Sequence, residues 1–257
     1  MVGDLANAIK RFSLTRLEEQ NSTVTIPVMC GRYNVIDNPE TVSLMNDLGI
    51  EFNSVALPLY NLCPTAFVPI VILDENGPKI VMAIWWLLLE KGPNGLKPNP
   101  KWKTFNAVAK RATTSKLYGP ALKKSRCILP ASGYYEWKKK QAYYIKPKDS
   151  AIAFAGLYRR WEIEGSELYS CTLMTTEGHS KLAHIHEKSL PVMLPKSECE
   201  NWLSRDELPH TKLDSIFESR LRESLEVVPV IQYVNNADHR GAQCIEAAGE
   251  KQTVAAD

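Results

Sequence analysis

At 257 residues the chain can bury a sizeable core, and 44% hydrophobic with 23% charged residues is ordinary for a soluble globular protein. A formal net charge of +2 excludes a polycation as a whole. The longest apolar run, "VMAIWWLLL" at 81 to 89, has nine residues and is too short to cross a bilayer as a helix, so it is expected to be a buried strand.

The start, "MVGDLANAIKRFSLTRLEEQ", is interrupted by Asp4, Lys10 and Arg11 and lacks the continuous apolar core of a secretory signal, which predicts a cytoplasmic protein with no membrane attachment. Residues 1 to 28 are expected to form an extension, with a helix through "LTRLEEQ" and extended chain through "STVTIPV". Cysteines at 30, 63, 127, 171, 199 and 244 show no CxxC pair, which predicts reduced thiols, no disulfides and no metal site.

After "MCGRYNV", Asn38 is placed to cap a helix with Pro39 in its first turn, Val42, Met45 and Leu48 on one face, and Gly49 at its end. "VPIVILDENGPKIVMAIWW" predicts two strands around a Glu-Asn-Gly turn. "GYYEW", "AYYIKP", "AIAFAGLYRRW" and "LYSCTLMTT" predict four more. Two late helices follow, one opened by a Ser197 and Glu200 capping box, the other carrying Leu213, Ile216, Phe217, Leu221 and Leu225 as a stripe. "VVPV" and "YVNN" return to strand. The reading is an α+β fold in one domain, with a β-barrel-like or mixed sheet core and flanking helices.

Charge is distributed unevenly. From Lys91 to Tyr135 there are ten Lys or Arg and no Asp or Glu, interleaved with Trp102, Phe105 and Tyr118. A groove for single-stranded nucleic acid needs cations for phosphates and aromatic faces for bases. A solvated lysine-rich surface has the same sequence.

Three stretches offer chemistry: "FNA" with Asn106, "ASGYYEW" with Glu136, and "AHIHEKSLPVML", where His184 competes with His186. Taken with "MCGRY" and "YNLCPT", and in this order, they resemble the SRAP family of abasic-site-processing, SOS-response-associated peptidase-like proteins, from Met29 to about Ala248. The resemblance implies covalent capture of abasic sites in single-stranded DNA by a cysteine that has become the amino terminus. It places that cysteine at Cys30 and implies active-site roles for Asn106, Glu136 and His186, with no cofactor. Arg32, Lys110, Arg111, Lys116 and Arg126 are expected to hold DNA, and Trp86 or Trp102 to stack on bases. The expected partner is DNA, the expected state a monomer, and the expected location the cytoplasm and its nucleoid.

Departures from the family pattern shape these expectations. Val108 stands where an arginine is usual, which shifts phosphate contact to Lys110 and Arg111. "HEKSLP" is one residue longer than usual, and "WWLLLE" replaces a Trp-Gly turn. Residues 1 to 28 are expected either to reflect a start codon upstream of the true one at Met29 or to be removed by self-cleavage, and 249 to 257 to be a short tail. A thiol hydrolase using Cys30 and His186 and a non-catalytic strand-binding module are the competing readings.

Overall fold

The computed structural model describes residues 30–51, 55–93, 95–163 and 165–257. The expected elements at "LTRLEEQ" and "STVTIPV" lie outside them.

The chain opens with β1 (Tyr33–Val35), helix α1 (Pro39–Asp47) and β2 (Leu59–Leu62). The local chemistry of α1 is as its residues dictate: Asn38 accepts the Thr41 N–H at 3.0 Å and Gly49 takes φ +72° just past the end. Strands β3 (Phe67–Asp74) and β4 (Gly77–Trp85) form the expected hairpin, closed where Asp74 accepts the Asn76 N–H and Gly77 takes φ +113°. The apolar run is not one strand. β4 stops at Trp85, and the chain turns through Trp86 to Leu88 into a small hairpin, β5 (Leu89–Gly92) and β6 (Gly95–Pro98).

β7 (Asn106–Val108) runs directly into helix α2 (Ala109–Ala112), followed by α3 (Gly119–Lys124). Strands β8 (Arg126–Ala131), β9 (Gly133–Lys138), β10 (Gln141–Pro147), β11 (Ile152–Ile163) and β12 (Ser166–Glu177) come next; β9 to β12 match the four aromatic and β-branched stretches, and β8 is an additional strand. The last part holds β13 (Ser189–Pro191), β14 (Met193–Leu194), helices α4 (Lys196–Leu203) and α5 (His210–Phe217), then β15 (Leu225–Val230) and β16 (Gln252–Val254).

Strands β12, β4, β3, β8 and β11 pair in that order, and β11 pairs back to β12, closing a five-stranded barrel. β7 and β13 flank β12, and β14 flanks β11. A second sheet runs β16-β15-β10-β9-β1-β2. Tyr33, Val35, Tyr134 and Ile145 from this sheet share one continuous apolar core with Val68, Ile70, Ile128, Leu129, Phe154 and Leu173 of the barrel. Each such Val, Ile, Leu or Phe side chain contributes roughly 1.5–3 kcal/mol when fully buried. The fold is therefore α+β with a barrel-like core.

Some late elements differ from expectation. α4 starts at Lys196 behind Pro195 with no side-chain cap, so Ser197 and Glu200 form no capping box. The apolar stripe is broken: α5 ends at Phe217, Leu221 follows it, and Leu225 already belongs to β15. "YVNN" falls in a 3-10 turn (Gln232–Asn235) that buries Val234 in a small apolar cluster with Tyr135, Tyr144 and Val230. Within residues 249 to 257, expected as a short tail, β16 pairs with β15 at the sheet edge.

Candidate active site

Cys30 sits just ahead of β1. Tyr33 pairs with Tyr134 of β9, and the Tyr135 N–H donates to the Arg32 carbonyl at 3.0 Å. Continuing that antiparallel register brings the Cys30–Gly31 segment alongside Glu136. Asn106 arrives from the barrel side, where β7 lies parallel to β12, and its Nδ2 donates to the Cys30 carbonyl at 2.9 Å. His186 lies in the loop between a 3-10 turn (Ser180–Leu182) and β13, tied by its N–H to the Leu182 carbonyl at 2.9 Å. Its Nδ1 is 3.5 Å from Glu136 Oε2, within ion-pair reach but longer than a good hydrogen bond. Four distant segments thus converge on one point.

The site is dry. Cys30 is fully buried, Glu136 is 2% exposed and Asn106 is 5% exposed. Both Glu136 oxygens, Asn106 Oδ1, and the Tyr33 and Tyr134 hydroxyls are buried without a hydrogen-bond partner. Such a concentration of unsatisfied polar atoms is costly and marks a place built for something other than packing. Tyr134, Glu136, His186 and Ser189 also line a cavity of about 10 Å³, near the lower bound for one water.

Burial sets the electrostatics. Desolvation pushes the Glu136 carboxyl well above the usual carboxylate range. Desolvation, with Lys188 adding to it, pulls His186 below the usual imidazole value. Both shifts favour the neutral forms, a protonated carboxyl beside an uncharged imidazole, so burial narrows the ordinary preference of the proton for the imidazole. The Cys30 thiol is pushed well up, by burial first and by Glu136 second, so it rests protonated.

The cations divide by environment. Lys110 and Arg111 are exposed on α2, four and five residues beyond Asn106 on the same continuous segment, and Lys116 is exposed in the loop that follows. Arg32 is half-buried; its Nη1 donates to Asn61 Oδ1 and the Val234 carbonyl, both at 2.8 Å, and its guanidinium lies over the Trp137 ring. Arg126 corrects the sequence reading. It is 3% exposed, and its guanidinium donates to the carbonyls of Trp202, Leu122, Lys123, Ser204 and Asp206, holding the ends of α3 and α4 together. It is structural in this fold, leaving no face for a phosphate. Trp102 is 54% exposed with Lys101 over its ring, whereas Trp86 is half-buried against Phe105.

Two features escaped the sequence reading. Tyr134 stands inside the quoted "ASGYYEW", but only tertiary packing shows that its hydroxyl is orphaned beside Cys30 and Glu136. Ser189 was visible only as part of a lengthened segment, yet its Oγ lies 3.3 Å from His186 Nε2.

The family model for the SOS response associated peptidase (SRAP) matches residues 29–237. The chain belongs to the SRAP family. The match begins one residue ahead of Cys30 and includes Asn106, Glu136 and His186. The chain is 29% identical over 227 residues to the abasic site processing protein YoaM of Bacillus subtilis, covering 85% of this chain and 98% of that one. It is 25% identical over 232 residues to the abasic site processing protein YedK of Escherichia coli, covering 85% of this chain and 99% of that one. A solved protein of Bacteroides thetaiotaomicron shares the SRAP chain's fold at a TM-score of 0.67 and 19% identity, covering 85% of this chain and all of the other. Among the described residues, no helix of this SRAP chain is long and apolar enough to cross a membrane.

Proposed function

We propose that the protein captures abasic sites in single-stranded DNA covalently, through Cys30 as a free amino terminus. The carrying observation is the convergence of Cys30, Asn106, Glu136 and His186 in one buried polar site. An opened abasic sugar presents an aldehyde. A free α-amine adds to its carbon, the aldehyde oxygen leaves as water, and an imine results. The thiol sulfur then bonds to the same carbon while its proton passes to nitrogen, closing a thiazolidine ring. The net reaction releases one water.

An internal cysteine cannot do this, because its amide nitrogen has no nucleophilic lone pair. The reading therefore requires the Met29–Cys30 bond to be absent in the working protein, through translation from Met29 with methionine removal or through self-cleavage.

The chain's own groups supply position and protons. Asn106 Nδ2 holds the Cys30 carbonyl, which aims the terminus, while its unpartnered Oδ1 is free to accept from the incoming amine or sugar. Glu136, whose proton affinity burial raises, gives a proton to the departing oxygen and takes one back from the attacking amine, with the His186 Nδ1 lone pair beside it to hold a proton in between. A model α-amine near about 7.7–8.0 is partly unprotonated at neutral pH, so amine attack comes first. The buried thiol follows once the imine stands beside it. Exposed Lys110, Arg111 and Lys116 hold phosphates, and Trp102 offers a face for a base.

The thiol-hydrolase reading fares worse. Such an enzyme needs a depressed thiol pKa, and here burial and Glu136 both raise it. A non-catalytic binding module would have no use for a buried carboxyl-imidazole pair.

The test is a denaturing gel with a single-stranded oligonucleotide carrying one abasic site, using protein started at Met29 and at Met1, with intact mass for each. Protein that begins at Cys30 should give a stable crosslink, and Cys30→Ala should abolish it while Cys63→Ala keeps it. A crosslink of equal yield from Cys30→Ala, or from protein whose mass retains Met1, would sink the mechanism.

A further inference from the structure

His186 is held from both sides. Its Nδ1 faces Glu136 Oε2 at 3.5 Å, and its Nε2 faces Ser189 Oγ at 3.3 Å. Ser189 is 9% exposed, and its backbone is fixed because β13 pairs with β12 in the register Ser189↔Glu177, Leu190↔Thr176 and Pro191↔Thr175. Its hydroxyl is thus anchored by a strand, whereas His186 sits in a loop. The approach depends on Gly178, where an added Cβ would collide with the Glu187 carbonyl, so only glycine lets the His186 loop lie against the end of β12.

An imidazole between two oxygens has a choice of tautomer, and that choice decides which nitrogen can take a proton. We propose that Ser189 is a positioning residue: its hydroxyl oxygen accepts from His186 Nε2–H and so keeps the Nδ1 lone pair directed at Glu136. In this arrangement the Glu136 proton moves to Nδ1 while Nε2–H stays on the Ser189 bond. No bond to Ser189 is made or broken, and the hydroxyl is not a nucleophile. The opposite tautomer would point Nδ1–H at Glu136 and leave the imidazole unable to accept its proton.

Other groups facing His186 bear on its titration: Glu136 and Tyr134 from β9, His179 ahead of the 3-10 turn, and Glu187 and Lys188 in its own loop. Only Ser189 meets Nε2 at hydrogen-bond distance among the described residues. Losing its oxygen weakens the imidazolium most, because a charged donor makes the stronger bond. His186 then titrates at lower pH.

The kinetic arm rests on the abasic-site reading, and the spectroscopic arm does not. Nitrogen-15 NMR of imidazole-labelled full-length protein at pH 7.5 should show His186 protonated at Nε2 with Nδ1 bare. Ser189→Ala should mix the tautomers, slow crosslinking roughly threefold to tenfold, as loss of one ordinary hydrogen bond does, and move the acidic limb of the rate profile to lower pH. Ser189→Thr, which keeps a hydroxyl, should restore the tautomer and the profile. An Nδ1–H tautomer in the unmodified protein overturns the proposal, as does a Ser189→Ala protein with an unchanged His186 spectrum. Absence of crosslinking in every protein, with the tautomer pattern as described, would overturn the abasic-site reading and leave the positioning role standing.

Discussion

Glu136 sits at 2% exposure with neither oxygen hydrogen-bonded, and that burial has a measurable consequence for folding. Because burial raises its pKa, the folded state keeps a proton that the unfolded chain releases above about pH 4.3. Stability therefore declines as pH rises from that value through the folded pKa. Glu136→Gln removes the titration. The variant should melt higher than the parent at pH 7 to 8 and show a flatter curve of Tm against pH, while crosslinking falls by at least about 100-fold. Identical Tm profiles for variant and parent would contradict a raised proton affinity. Arg126 has the opposite character. Removing a buried guanidinium that serves five carbonyls should cost on the order of 3 kcal/mol, read in urea unfolding of Arg126→Ala. The salt dependence of DNA binding by the folded fraction should not change; a reduced slope would return Arg126 to the DNA interface.

Among the elements, the segment from 249 onward departs most from its sequence reading. β16 adds to β15, and beyond it the Asp257 carboxylate accepts from the Leu221 N–H at 2.8 Å and meets Lys181 Nζ at 2.8 Å and His179 Nε2 at 3.0 Å. Lys181 and His179 belong to the stretch that leads to His186, so this latch braces the back of the site. The Lys181 contact and the Leu221 N–H hold the Asp257 carboxyl well below the usual range. A depressed folded pKa means the latch contributes fully above the unfolded value of about 3.9 and is lost progressively in stronger acid. Amide exchange should show residues 252 to 257 opening faster in Asp257→Ala than in the parent at pH 7, with the difference shrinking on acidification below pH 3. Equal protection at pH 7 would mean that β16 holds itself. None of this was legible beforehand, since a short polar stretch carries no periodic signal and its partners lie 36 to 78 residues away.

At the scale of the whole molecule, the charge asymmetry read from residues 91 to 135 resolves into several surfaces. Lys97 pairs with Glu90 and Lys123 with Glu207, and Arg126 is buried. Lys110, Arg111 and Lys116 remain exposed on the segment that continues from Asn106, although Lys110 approaches Glu177 at 3.5 Å in a fully solvated pair of little strength. Replacing all three by alanine should lower the slope of log affinity against log salt for single-stranded DNA by up to about 2, at roughly 0.7 per phosphate. An unchanged slope would move the DNA path to another face.

What the sequence determined by itself was the part governed by near neighbours. The Asn38 cap, the Gly77 turn and the aromatic and β-branched content of β9 to β12 all act within a few residues. The order of short motifs that matches the family is likewise read directly from the sequence. The tertiary structure alone decided which of those residues meet. Asn106 lies 76 residues from Cys30 and bonds to its carbonyl. Cations from one stretch divide into a buried brace, surface ion pairs and free charges. His186 acquires a second partner in Ser189. The physical reason is that desolvation and hydrogen bonding depend on distance in space, and barrel closure between β11 and β12 sets those distances.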